Sequence, residues 1–255
     1  FGDSFTWGTE LLDSIDGSLN DRVNLQTYVD FHHDTTQMAV YCDPDYEHKV
    51  VSYSAAGYSR FTWPALLASY KKLTYRCYAQ PGTSNDTIVR NFFRFVTHMS
   101  SLDFVVINWT WIDRYDIFDN TLLASHTQQW KTLIPAEFTG TDLEKSYINY
   151  FQTELLDKFN TLTSILLIIS ILRHKKIPFI MTSIDKLITD TASHCPDYIK
   201  TLQDEIKDYI TWFDDFGFYN WALDKGFKMG SDGHPLEEAH QAAFEYIKPD
   251  HAPSK

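Results

Sequence analysis

Asp103-Phe104-Val105-Val106-Ile107-Asn108 (DFVVIN) and Ile177-Pro178-Phe179-Ile180-Met181-Thr182 (IPFIMT) decide the fold. Both are short runs, apolar on both faces, which suits a strand buried on both sides rather than one half in water. Between them the chain carries a long helical pattern from about Leu143 to His174. Upstream, Trp63–Tyr70 reads as a helix with Pro64 in its first turn, and Asp86–Met99 as a second helix with Ile88, Val89, Phe92, Phe93, Phe95 and Val96 on its apolar positions. Val50–Ser54 and Leu73–Ala79 read as further short strands. Strands alternating with helices predict βαβ units and a mostly parallel sheet covered on both faces, a three-layer α/β/α sandwich.

Bulk composition bounds the rest. The 255 residues are 44% hydrophobic and 22% charged, and no Pro/Gly-rich linker or repeat divides them. One domain over residues 1–255 is expected, with loop-rich insertions near 13–49 and 112–142. A net charge of −12 argues against nucleic-acid partners and anionic membranes, since phosphates need clustered Lys and Arg. The three cysteines, Cys42, Cys77 and Cys195, are widely spaced with no CxxC pair, which fits a reducing compartment or simply buried thiols, and no structural zinc site. The most apolar run, Leu162–Leu172, is too short for a membrane span and reads as a buried helix. Soluble, cytoplasmic or virion-associated localisation is therefore expected rather than secretion. Because Phe1 opens directly onto Gly-Asp-Ser, the native chain is expected to begin with further residues.

In open parallel sheets ligands sit at the carboxyl ends of the strands, so functional residues should follow strands. Four segments either follow such a strand or stand at a helix start. Ser4, in Phe1-Gly2-Asp3-Ser4, has the setting of a nucleophile at a strand-to-helix turn, where a helix N-terminus favours a developing oxyanion. Taken alone it reads as well as an ordinary helix cap. Gly82 and Asn85, in Pro81-Gly82-Thr83-Ser84-Asn85-Asp86, offer a backbone N–H and a side-chain amide, or simply a turn in which Asn85 or Asp86 caps the next helix. Asn108 and Thr110 leave the strand of the DFVVIN run as further polar donors. Asp232 and His234, in Ser231-Asp232-Gly233-His234-Pro235, suit a carboxylate that orients an imidazole base, with Pro235 at the start of a helix. His240 lies about 240° further around that helix and reads as structural.

Together, in this order, these segments resemble the sequence blocks of the SGNH/GDSL hydrolases, and their wording is similar to a viral or marine-bacterial branch of that family. The resemblance implies a flavodoxin-like sheet and a serine esterase acting through an acyl-enzyme. It implies Ser4 as nucleophile, His234 as base and Asp232 as its orienter. Oxyanion donors would be the N–H groups of Ser4 and Gly82 and the Asn85 side chain, with Asn108 and Thr110 as alternatives. No cofactor and no metal are implied, and the partner is a small-molecule or glycan ester; the aromatic content, 16%, leans towards carbohydrate O-acetyl groups. Two features depart from the family: NWTWID stands where G-x-N-D is usual, and a single residue, Gly233, separates Asp232 from His234. A non-catalytic binding or structural protein on the same fold, such as a virion component, is the rival reading. A metal site built on His32, His33, Asp34, Asp232 and His234 lacks ligand spacing.

Overall fold

A computed structural model describes residues 1–2, 6, 11, 28–31, 38–41, 51–53, 59–79, 82–118, 130–135, 141–190, 195–230 and 233–248. In chain order its elements are β1 (Tyr28–Phe31), β2 (Met38–Tyr41), β3 (Val51–Tyr53), α1 (Trp63–Tyr70), α2 (Asn85–Val96), β4 (Val105–Trp109), β5 (Tyr115–Phe118) and β6 (Trp130–Leu133). They continue with α3 (Asp142–Phe151), α4 (Glu154–His174), β7 (Phe179–Ser183), α5 (Asp197–Ile206), α6 (Phe218–Asp224) and α7 (Glu237–Ile247). The chain divides into two compact units. One comprises Phe1–Asp3, Gly82–Ile117 and Thr132–Trp221; the other comprises Ser4–Pro81, Phe118–Lys131 and Ala222–Lys255.

The first unit is α/β. The two apolar runs that opened the sequence pair as parallel strands β4 and β7, in register from Val105 opposite Phe179 to Trp109 opposite Ser183. Two single-residue pairings extend this ladder. Phe1 donates its N-terminal amine to the Val106 carbonyl (2.7 Å) and accepts from the Asn108 N–H (3.0 Å), which is the parallel pattern, with β4 as partner. Met181 of β7 forms a parallel bridge with Ile210. Ile107, Trp109 and Met181 are wholly buried. Helix α4 packs against α2 and α5. Its Leu162, Ile165, Ile168 and Leu172 are wholly inaccessible, each contributing roughly 1.5–3 kcal/mol by leaving water. By length and composition α4 could cross a membrane, and 44% of its apolar window is buried inside the protein.

One long helix was expected from Leu143 to His174; the structure has two. The first ends at Phe151 and Thr153 caps the second, its hydroxyl accepting from the Leu156 N–H (3.2 Å), with Glu154 and Asp157 in the first turn where the helix dipole favours acids.

The second unit combines an antiparallel sheet, β1-β2-β3, with a helix pair, α1 on α7. Ala239 and Ala243, one turn apart and fully buried, keep α7 slim, and Trp63 and Leu67 of α1 are buried to 1% exposure. Tyr70 meets Phe244 edge-on at 5.9 Å between ring centres. The stretches read as loop-rich insertions hold strands: β1 and β2 fall within 13–49, and β5 and β6, which pair with each other, fall within 112–142. These strands are four residues long, too short for a clear alternation. Conversely, Leu73–Ala79 forms no strand. β-rich composition marks a segment that suits a ladder, but a strand exists only where a partner supplies the hydrogen bonds.

Candidate active site

In the α/β unit the candidate residues gather where β4 ends. Ser84 caps α2, its Oγ accepting from the Thr87 N–H (3.1 Å), so neither Asn85 nor Asp86 performs that task. Gly82, two residues earlier, adopts φ +67°, a left-handed conformation that costs other residues roughly 1–2 kcal/mol. An added Cβ there would only brush Ile134 at 4.0 Å, so the glycine is required by its backbone angle and not by space.

Asn85 is 5% exposed, and its amide is fully engaged. Oδ1 accepts from the Thr110 N–H (2.9 Å), while Nδ2 donates to the Thr110 carbonyl (3.2 Å) and to Thr161 Oγ1 of α4 (3.2 Å). The orientation is unambiguous, because the Thr110 N–H can meet only the oxygen. Asn85 was expected to offer an oxyanion donor. Both its hydrogens are instead spent on α4 and the chain leaving β4, and it acts as a clamp that reproduces one rung of a sheet ladder. Asn108 and Thr110 are wholly buried. Asn108 accepts from Thr182 Oγ1 at 2.8 Å, and its Nδ2 has no hydrogen-bond partner among the described residues.

Beside this clamp lies a second polar knot. Asp116 of β5 accepts from Thr87 Oγ1 (2.6 Å), from Thr132 Oγ1 (2.6 Å) and from the Arg90 guanidinium. Burial pushes the Asp116 carboxyl up, but hydrogen bonds from Ser84, Thr132 and Thr87 and the Arg90 charge outweigh it and hold it below the usual range.

In the second unit, His234 sits at the close of a tight turn. Its carbonyl accepts from the Gly230 N–H (2.7 Å), Pro235 bridges Met229, and the Leu236 N–H donates to the Lys228 carbonyl (3.2 Å). This turn keeps His234 and Pro235 out of the helix expected to start on them; α7 begins at Glu237 with Leu236 at its cap. Gly233 takes φ +79°, which suits a sharp reversal just before the imidazole. His240 is 1% exposed and its Nδ1 accepts the Trp63 N–H at 3.3 Å. Thr62, in the cap position of α1, makes no side-chain capping bond, its Oγ1 donating to the Ser59 carbonyl (3.5 Å) instead, so the imidazole caps that helix in its place. Burial, helped by the nearby His234, pushes the His240 pKa down to about 3, leaving a neutral ring protonated on Nε2.

Ser4, Asp232, His32, His33 and Asp34 lie outside the described residues. Among the described residues no group of three His, Cys, Asp or Glu side chains is spaced to hold a metal. Reading the sequence overlooked three acids, Asp113, Asp157 and Asp185. Asp185 and Asp113 lie shortly after the buried parallel strands β7 (ending at Ser183) and β4 (ending at Trp109), the signal that could have singled them out.

No family model matches the chain, and no curated protein matches it. Among solved structures it is similar to a protein from Desulfitobacterium hafniense DCB-2 assigned to the lipolytic G-D-S-L family, at 11% identity and a TM-score of 0.39, covering 96% of this chain and 94% of that one. It is also similar to a member of the lipolytic G-D-S-L family from Veillonella parvula DSM 2008, at 10% identity and a TM-score of 0.38, covering 74% and 87%.

Proposed function

We propose that this chain is a serine hydrolase of the SGNH type that cleaves carboxylic esters through an acyl-enzyme. The observation that carries the reading is the parallel pairing of Phe1 with β4. A chain running parallel to β4 leaves the sheet at the carboxyl ends of the strands, and the next residues in sequence are Gly2-Asp3-Ser4. The full architecture in this proposal is a three-layer α/β/α sandwich whose sheet places Phe1, β4, β7 and Ile210 side by side.

In the reaction, the Ser4 hydroxyl attacks the ester carbonyl while His234 takes its proton. Asp232 holds the imidazole, and the alcohol leaves with the proton His234 returns. Water then repeats the sequence on the acyl-serine and frees the acid. The N–H groups of Ser4 and Gly82 receive the oxyanion. Asn85 serves this site by positioning Thr110, which leaves the hole one side-chain amide poorer than the sequence reading had it. Small acyl groups on a carbohydrate are the proposed substrate class, in keeping with the aromatic content.

A fluorophosphonate probe tests the proposal on the intact chain. Labelling of the wild type that vanishes in Ser4→Ala, with His234→Ala slowed by at least about 10³-fold, is the expected result. A folded wild type that takes no label would overturn it in favour of the non-catalytic reading.

A further inference from the structure

Within the α/β unit a cavity of about 320 Å³ opens beside the chain leaving β4, and Ile112 and Asp113 line it from that side. Leu187, four residues past the end of β7, lines it as well. The cavity therefore lies where open α/β sheets take their ligands, at the carboxyl ends of two parallel strands. Its size is at the lower end of small-molecule pockets.

Its chemistry is unusual. Asp157, on the first turn of α4, lines the cavity at 4% exposure, and its Oδ1 is buried with no hydrogen-bond partner among the described residues. Leaving a carboxylate in that state costs stability unless a partner arrives. Asp113, which also lines the cavity, stands close enough to repel both Asp157 and Asp185, and the buried Asp185 Oδ2 likewise has no hydrogen-bond partner among the described residues. Burial, with Asp113 adding repulsion, pushes Asp157 up to about 7; burial and Asp113 also lift Asp185 to about 6, against a hydrogen bond from the Leu187 N–H. The nearby cation Lys158 is already paired, with Glu154 Oε1 (2.6 Å), a carboxylate that also lines the cavity, and with the Asp190 carbonyl (3.0 Å).

We infer that this cavity binds a small organic ammonium ion, its charge against Asp157 and its carbon body against Ile112, Ile148 and Leu187. Those three aliphatic side chains line the space. A hard divalent cation needs about six oxygens in close array, and the carboxylates here are not spaced for one. An uncharged apolar ligand would leave the Asp157 oxygen as it is. The inference draws nothing from Ser4 and stands apart from the hydrolase reading.

Calorimetric titration of the full chain at pH 8, where Asp157 is ionised, tests it with n-hexylammonium chloride, n-hexanol, calcium chloride and magnesium chloride. Hexylammonium should bind with one-to-one stoichiometry, and hexanol at least about tenfold more weakly. Asp157→Asn, an isosteric change that removes the strained charge, should keep the fold and weaken hexylammonium at least about tenfold. Leu187→Gln should weaken hexylammonium more than methylammonium. Equal affinity for hexanol, unchanged affinity in Asp157→Asn, binding of the metal ions in place of the amine, or no amine binding at millimolar concentration would each overturn it.

Discussion

Two polar devices fix backbone in this protein, and they differ in what they depend on. At the exit of β4, the neutral amide of Asn85 satisfies both backbone groups of Thr110 and ties them to α4. In the second unit, the neutral imidazole of His240 satisfies one backbone donor at the start of α1. Both side chains are almost wholly buried. The amide cannot titrate, so its clamp holds at any pH. The imidazole accepts only while it lacks a proton on Nδ1, and burial is what keeps that proton away. A buried hydrogen bond is thus as durable as the charge state of its acceptor.

Removing the amide gives the largest expected effect. Asn85→Ala deletes three buried hydrogen bonds, to the Thr110 N–H, the Thr110 carbonyl and Thr161 Oγ1, at roughly 0.5–1.5 kcal/mol each, so a loss of about 3 kcal/mol should appear in urea unfolding. That loss should be the same at pH 5 and pH 8. Asn85→Asp, which keeps the acceptor but sets a carboxylate against the Thr110 carbonyl, should not restore it.

His240 sharpens the contrast through pH. Its native pKa is about 3, against 6.5 for the free side chain. Between those values the unfolded chain binds a proton that the native chain refuses. The contribution is fully present above pH 6.5 and is lost as pH falls towards 3, at up to about 1.4 kcal/mol per pH unit. Stability measured from pH 7 to pH 4.5 should fall less steeply in His240→Asn, whose Oδ1 can accept the Trp63 N–H without titrating. Parallel slopes in the two proteins would remove the imidazole from the account.

The smallest expected effect separates the two glycines that flank these devices. Gly82 and Gly233 both hold positive φ, at +67° and +79°, and neither position is crowded. Replacing either by Ala should cost about 1 kcal/mol from backbone strain alone, and Asn, which tolerates that region, should cost less. A much larger loss at either site, read in the same urea unfolding, would point to packing that the empty space beside these residues does not suggest.

The legible parts of the fold were those whose signals are local. Trp63–Tyr70 was readable to the residue because Pro64 belongs in a first turn, and β4 and β7 were readable because strands buried on both faces need unbroken apolar runs. The break at Gln152-Thr153 was hidden by apolar periodicity that continues through it, although Thr153 followed by Glu154 is a helix-start signal. β1 and β2 stayed hidden because four residues carry too little pattern. At the candidate site, residue types were readable and their commitments were not. Asn85 has the right amide for an oxyanion, yet where its hydrogens point depends on Thr110 and Thr161, 25 and 76 residues away. Asp113, Asp157 and Asp185 look like three ordinary surface acids until folding sets Asp113 against each of the other two.

By itself, then, the sequence determined that Trp63–Tyr70 is a helix, that β4 and β7 are buried strands in an α/β alternation, and which residue types are on hand for the proposed acyl transfer. Those properties follow from spacing and composition along the chain. Tertiary structure decided that Phe1 pairs parallel with β4, that Asn85 is a clamp, that His240 caps α1, and that Asp157 faces a cavity with no partner. Each of those depends on which distant groups meet. A hydrogen bond or a shifted pKa belongs to a pair of groups and its surroundings, and only folding assembles them.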